Sequence, residues 1–151
     1  MLVLTFQVDR APYAVPVGQV IEVVPRVELR PIPHAPPCLL GLLHYRGAAI
    51  PVVDLGLLMG RSPCADRLDT RILLVHAGGV GGAADDRLGL LAERVNDLVE
   101  VDAGRPAMQA AGRLGAAYLG PVFETAGGLL QLIDPGRIAA TTVALPGGDG
   151  R

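Results

Sequence analysis

Glycine and proline divide the apolar sequence of this chain into short segments. Among its 151 residues are 20 Gly and 13 Pro, and most stretches between them are too short for a helix of ordinary length. Short runs of Val, Leu and Ile that end at such residues are typical of strands. Ten strands are predicted: Leu2–Val8, Tyr13–Val17, Val20–Val24, Leu39–Tyr45, Ala48–Asp54, Arg71–His76, Arg87–Ala92, Val95–Val101, Tyr118–Glu124 and Leu129–Asp134. Short strands at this spacing predict an all-β fold of barrels or a sandwich.

Helix is indicated at only two places. Asp54 is a suitable N-cap for a turn of helix over Asp54–Met59, and His34–Pro37 suits the start of another short helix. Arg46-Gly47 is a predicted tight connection between two strands. Pro51 places the second of these strands at a sheet edge or a bulge, because proline has no backbone N–H to donate.

The charged residues argue against nucleic-acid binding and against several catalytic chemistries. All 13 basic residues are Arg, scattered among 15 acidic residues, so the chain has no lysine nucleophile and no P-loop lysine. It also lacks the basic stripe and the aromatic platforms that bind nucleic acids. No apolar run reaches the roughly 18–20 residues of a membrane span, and no export signal is visible. We therefore expect a cytoplasmic protein without membrane insertion.

The cysteines, the histidines and the serine predict neither nucleophilic catalysis nor a metal site. Cys38 and Cys64 form no C-x-x-C pair, and Cys38 has the apolar neighbours of a small core residue. His34 lies four residues before Cys38, but zinc needs three or four convergent ligands. The only serine, Ser62, lies in a turn sequence and not in a nucleophile elbow. The chain is therefore predicted to be neither an enzyme nor a metal-binding protein.

One motif supports a different interpretation. Gly79–Ala84 satisfies G-x-G-x-x-A directly after a predicted strand, and Glu100 or Asp102 follows about twenty residues later, as in dinucleotide-binding folds. The apolar residues that follow the motif recur at helical spacing: Leu88, Leu91, Val95 and Leu98. A small dinucleotide-binding enzyme is therefore an alternative, although Gly89 and the strand-rich first seventy residues argue against it. A β-barrel module that only oligomerises is a further alternative.

Several blocks of the sequence resemble CheW-like domains. The run Gly41-Leu-Leu-His-Tyr-Arg-Gly47, followed by Pro51-Val-Val-Asp-Leu55, resembles the family signature G-x-x-N-x-R-G followed by P-V-x-D-L. Tyr13–Val23 resembles an upstream block of the family, and Leu88–Leu98 resembles a downstream one. Tyr118–Gly120 and Leu129–Asp134 are similar to its closing strands. The blocks occur in order over about residues 2–140, so the resemblance is specific.

The resemblance implies a fold of two small five-stranded SH3-like β-barrels side by side, with one or two short helical turns. It implies that residues 1–141 form a single CheW-like domain and that residues 142–151 are a flexible Gly-rich tail. Glu93-Arg94 becomes a turn between two strands. The C-terminal helix common in the family is expected to be replaced by the Gly-rich tail.

The resemblance also implies a function. Stand-alone members of the family are non-catalytic adaptors that couple methyl-accepting chemoreceptors to a CheA-type histidine kinase in a signalling array. The implied partners are the kinase regulatory domain and the cytoplasmic tip of the receptor, and the implied location is the cytoplasm, with recruitment to membrane-bound receptor arrays. No cofactor is implied.

Five positions match partner-binding positions of the family: Val20, Glu22, Gly41, Arg46 and Val95. Arg46 is the strongest candidate for a direct contact, because its planar guanidinium can donate to a carboxylate or a carbonyl. Gly41 is expected to serve backbone geometry. The chain departs from the family pattern at His44, where Asn is usual, and in the Gly-rich loop over residues 77–86.

Overall fold

The computed structural model describes residues 1–78, 86–109 and 115–142, and strands dominate this part of the chain. Nine strands are present: β1 (Leu2–Val8), β2 (Ala11–Pro16), β3 (Val20–Pro25), β4 (Leu39–Tyr45), β5 (Ala48–Asp54), β6 (Arg71–His76), β7 (Arg87–Glu100), β8 (Leu119–Thr125) and β9 (Gly128–Ile133). Two short helices, α1 (Leu55–Leu58) and α2 (Pro135–Thr142), and a 3-10 turn over Val17–Gln19 complete the described elements. The predicted all-β class is confirmed.

Strand β7 belongs to two groups of strands. Its first half pairs antiparallel with β6 and parallel with β5. Beyond these neighbours, β5 pairs with β4 and β6 pairs with β3. We call this group sheet I. The second half of β7 pairs with β1, which extends through β2 and β9 to β8, and we call this group sheet II. The description of the two groups as SH3-like barrels stays a prediction.

The predicted turn at Glu93-Arg94 is wrong, because β7 continues through these two residues. The strand is irregular there: β1 pairs Thr5 with Asp97 but Gln7 with Glu93, so β7 holds extra residues in a bulge. Arg94 adopts a φ of 50°, a left-handed conformation that bends a strand. Each half of β7 keeps its own ladder of hydrogen bonds. Glu93-Arg94, two polar residues whose sequence resembles a turn, therefore lie in a bulge within one strand.

Strand β7 also argues against the alternative of a dinucleotide-binding enzyme. That fold requires a helix after the glycine motif, whereas residues 87–100 form β7. Leu88, Leu91 and Val95 are buried in this strand and Leu98 is exposed, so their helical spacing is accidental. The motif itself, Gly79–Ala84, lies outside the described residues.

Two predictions about helices are also corrected. His34–Pro37 forms turns and not a helix, because His34 has a φ of 64° and the following prolines lack backbone donors. After β9, helix α2 occupies Pro135–Thr142 where the family helix was expected to be absent. Asp134 accepts a hydrogen bond from the Gly136 N–H at 3.0 Å, and proline is favoured at the first helical position. Residues 143–151 of the predicted tail lie outside the described residues.

The core is aliphatic and has three parts. The largest cluster lies between the two sheets and includes Val8 of sheet II, Leu90 of sheet I and Ile138 of α2. A second cluster belongs to sheet I, with Ile50 and Leu74 among its members. The third belongs to sheet II and includes Val3, Phe123 and Leu130. The central cluster therefore joins the two sheets.

Candidate functional site

Arg46 lies in the two-residue connection between β4 and β5, as predicted. Tyr45 pairs with Ala48 across the hairpin, while Arg46 and Gly47 have φ values of 48° and 82°. Two successive left-handed residues match the right-handed twist of a hairpin, and glycine adopts this conformation readily. The connection holds the Arg46 side chain away from the core, and that side chain is 76% exposed.

Three side chains form a cluster on the surface of sheet I, which we call the Tyr45 cluster: Glu22, Tyr45 and Arg46. The Tyr45 hydroxyl donates a hydrogen bond to Glu22 Oε1. Arg46 Nη2 lies 3.6 Å from the same oxygen, and Arg46 Cζ lies 5.2 Å from the centre of the Tyr45 ring, the geometry of a cation–π contact. The hydrogen bond to Glu22 is the main cause that raises the pKa of Tyr45 above its ordinary value.

Sequence reasoning identified two members of this cluster and missed the third. Glu22 and Arg46 were candidate residues, and the structure brings them together from β3 and from the β4–β5 connection. Tyr45 was not a candidate. Its position next to Arg46 in a hairpin was the available signal, but the contact with Glu22 depends on how β3 and β4 lie in sheet I.

The other three candidates lie outside the Tyr45 cluster. Val20 begins β3 and packs against the central core cluster, to which the buried Val95 of β7 belongs. Gly41 is buried in β4, and a Cβ atom at this position would lie 2.5 Å from the carbonyl oxygen of Arg30. Gly41 therefore serves close backbone approach, as expected, and Val95 is positioned to act through packing.

A second surface feature is a cavity of about 750 Å³ beside the 3-10 turn. Its walls come from the end of β2, from β8 and β9, and from α2, and they include Gln19, Leu119, Leu132 and Arg137. The Oε1 atom of Gln19 is buried and accepts no hydrogen bond within the described residues. The cavity therefore combines apolar walls with the polar side chains of Gln19 and Arg137.

Neither thiol has the features of a reactive cysteine, and the described residues contain no metal-binding group. Burial raises the pKa of Cys38, and it raises the pKa of Cys64 to about 12, so neither has the lowered pKa of a reactive thiolate. Within residues 1–78, 86–109 and 115–142, no group of three or more His, Cys, Asp or Glu side chains is arranged to hold a metal ion. The helices in these ranges are too short or too polar to cross a membrane.

Comparison with known proteins relates this arrangement to one family. Residues 2–143 match the CheW-like domain. Over 84 residues the chain is 31% identical to a chemotaxis protein CheW of Helicobacter pylori, an alignment that covers 55% of this chain and 51% of that protein. Over 98 residues it is 26% identical to a probable chemotaxis protein CheW of Rhizobium etli, covering 65% and 59%. The matched part of this chain thus spans less than two thirds of either relative.

A solved structure shares the fold. The scaffolding protein TtCheW from Thermoanaerobacter tengcongensis superimposes with a TM-score of 0.75 at 23% identity, over 87% of this chain and 82% of that one. CheW-family proteins are non-catalytic scaffolds, which agrees with the prediction that this chain is not an enzyme. Because the family match runs from residue 2 to residue 143, the chain belongs to the CheW-like domain family.

Proposed function

We propose that this chain is a non-catalytic adaptor that couples methyl-accepting chemoreceptors to a CheA-type histidine kinase in a signalling array. The observation that carries the proposal is the family match over residues 2–143. The adaptor works in the cytoplasm, is recruited to membrane-bound receptor arrays, and functions as one domain over residues 1–141.

Two separate surfaces support the proposal, because an adaptor binds two partners at once. The Tyr45 cluster presents charged groups on sheet I, and the cavity beside the 3-10 turn is lined by β2, β8, β9 and α2. The two surfaces share no residue. In our proposal the cavity receives the cytoplasmic tip of the receptor, and the Tyr45 cluster contacts the regulatory domain of the kinase.

The five candidate residues divide into two roles under this proposal. Glu22 and Arg46 contact the partner, since both side chains are substantially exposed at 41% and 76%. Gly41 keeps the backbone of sheet I in shape, and Val95 packs in the central core cluster between the two sheets, because both are buried. Val20, at the start of β3, is only partly buried against the central core cluster, so it can both support the core and contact a partner.

The test is binding of the full chain to a cognate kinase regulatory domain and to a receptor cytoplasmic fragment, separately and together. We expect a ternary complex in which each partner binds without displacing the other. Arg46→Glu is expected to weaken kinase binding about tenfold or more while receptor binding and thermal stability stay unchanged. Arg105→Glu, at another exposed arginine, is the matched control and should bind as the wild type does.

Three results would contradict the proposal. These are failure of the chain to bind either partner, competition of the two partners for one surface, and equal effects of Arg46→Glu and Arg105→Glu.

Two further measurements test the alternatives. Sedimentation of the chain alone distinguishes the adaptor from a module that only oligomerises, and stabilisation by NAD or NADP in a thermal shift would favour the dinucleotide-binding enzyme.

A further inference from the structure

Tyr45 holds the two charged side chains of its cluster by contacts of different kinds. Its hydroxyl donates to Glu22, and its ring supports the Arg46 guanidinium at 5.2 Å. Glu22 and Arg46 approach each other only to 3.6 Å, and both are substantially exposed. Such an exposed ion pair is weak, and Tyr45 adds one contact to each of the two charged side chains.

This arrangement leaves most of the Arg46 guanidinium available. Its ion pair with Glu22 joins Nη2 to Oε1 at 3.6 Å, longer than a hydrogen bond, whereas a guanidinium can donate two parallel hydrogen bonds to one carboxylate. A guanidinium that stacks on an aromatic ring keeps its N–H groups at the periphery, where they can donate. Fixing the group before binding also reduces the entropy lost when a partner docks.

We infer that Tyr45 is a positioning residue that holds Glu22 with its hydroxyl and Arg46 with its ring, so that Arg46 is presented to a carboxylate of the partner. The inference rests on the proposed function for the existence of the partner. It adds the chemistry of the partner group, an Asp or Glu side chain, and it adds a residue that the family resemblance did not identify.

The protonation of Tyr45 supports this assignment. The charged groups that act on the hydroxyl are Glu22 on β3, Arg46 in the connection and Arg87 on β7. Their net effect, dominated by the hydrogen bond to Glu22, raises the pKa of Tyr45. A tyrosine hydroxyl is protonated near neutral pH at its ordinary pKa, and the raised pKa extends the pH range over which Tyr45 donates to Glu22.

The first experiment uses the free protein and needs no partner. Tyr45→Phe removes the hydroxyl and keeps the ring, whereas Tyr45→Leu removes both. We expect the NMR signal of the Arg46 Nε–H group to lose its ring-current shift in Tyr45→Leu and to keep it in Tyr45→Phe. Tyr13→Phe, which removes a hydroxyl outside the cluster, is the control. An Arg46 signal that is identical in wild type and Tyr45→Leu overturns the inference.

The second experiment measures affinity for the kinase regulatory domain by calorimetry. Tyr45→Leu should weaken binding about two- to fivefold, the effect of losing an exposed cation–π contact. Tyr45→Phe should weaken it less, and its effect should vanish in a Glu22→Ala background because the hydroxyl acts through Glu22. Wild-type affinity should fall as salt rises, as expected for a carboxylate partner.

The outcomes separate the inference from the proposed function. Equal affinity of wild type and Tyr45→Leu, or binding that is insensitive to salt, overturns the inference while the adaptor function stands. If the wild type binds no partner, the proposed function fails, and the NMR experiment still decides whether Tyr45 positions Arg46.

Discussion

The carboxylate of Asp54 accepts a hydrogen bond from the backbone N–H of Cys64, with 3.1 Å between Oδ2 and N. Oδ1 of the same side chain accepts from the N–H of Leu57 at 3.1 Å and caps α1. Asp54 is only 1% exposed, so these N–H groups replace the water that a buried carboxylate loses. One side chain therefore fixes both the start of α1 and the path of the chain toward β6.

Replacing Asp54 is expected to destabilise the fold strongly. Asp54→Ala removes the cap of α1 and leaves the buried N–H of Cys64 without this acceptor, at a cost of about 2–4 kcal/mol. Asp54→Asn keeps one acceptor oxygen and should cost less. Urea denaturation measures both, with Asp66→Ala at an exposed position as the control. A loss no larger than that of the control would contradict the role of Asp54.

Gly41→Ala is expected to be destabilising for a steric reason. The added Cβ would lie 2.5 Å from the Arg30 carbonyl oxygen and 3.2 Å from Leu29 Cβ, so β4 and the segment beside it must separate. We expect a loss of about 2–3 kcal/mol, typical of overpacking at a buried position. Gly18→Ala, where the new Cβ meets no atom within 4 Å, is the control. A Gly41→Ala protein that keeps full stability but loses partner binding would instead make Gly41 a contact residue.

Val95→Ala should affect partner binding only through stability. Val95 is 5% exposed within the central core cluster, and its truncation leaves a cavity that costs about 1–3 kcal/mol. At a temperature where the variant remains folded, its affinity for the kinase and receptor fragments should equal that of the wild type. Weaker binding by a fully folded variant would show that Val95 reaches the partner.

The sequence was most informative where structure is decided locally. The predicted bounds of β4, β5 and β6 agree with those observed, since turn residues end each apolar segment, and Asp54 was identified as a helix cap. The course of β7 was not predictable in this way. Whether Glu93-Arg94 forms a turn or a bulge depends on pairing with β1, which is distant in sequence and outweighs local preference.

The same distinction applies to the candidate site. The turn conformation of Arg46 depends on nearby residues and was anticipated. The backbone role of Gly41 was also anticipated, although the carbonyl that it approaches belongs to Arg30, outside β4. The contact of Tyr45 with Glu22 joins different strands of sheet I, and the burial of Val95 depends on the packing of both sheets. No local pattern encodes either feature.

The buried thiol of Cys64 is expected to make stability depend on alkaline pH. Its pKa rises from 9.0 to about 12 in the folded protein, mainly through burial. The unfolded chain therefore releases this proton at a lower pH than the folded one, so stability is lost as pH rises from 9 toward 12. The slope is at most about 1.4 kcal/mol per pH unit for one proton. Denaturation of wild type and Cys64→Ala across this range should give curves that converge as pH rises, and parallel curves would contradict the expectation.

The bulge in β7 is expected to depend on the conformation of Arg94. With a φ of 50°, Arg94 occupies a left-handed region that β-branched residues tolerate poorly and that Asn and Gly adopt more readily. Arg94→Val should therefore cost about 1–2 kcal/mol, whereas Arg94→Gly should be neutral or slightly stabilising. Arg94→Asn is the control for loss of the charge, because it retains the backbone preference. Chemical denaturation ranks the stabilities of the three variants. If Arg94→Val is as stable as Arg94→Asn, the bulge does not require a left-handed conformation at residue 94.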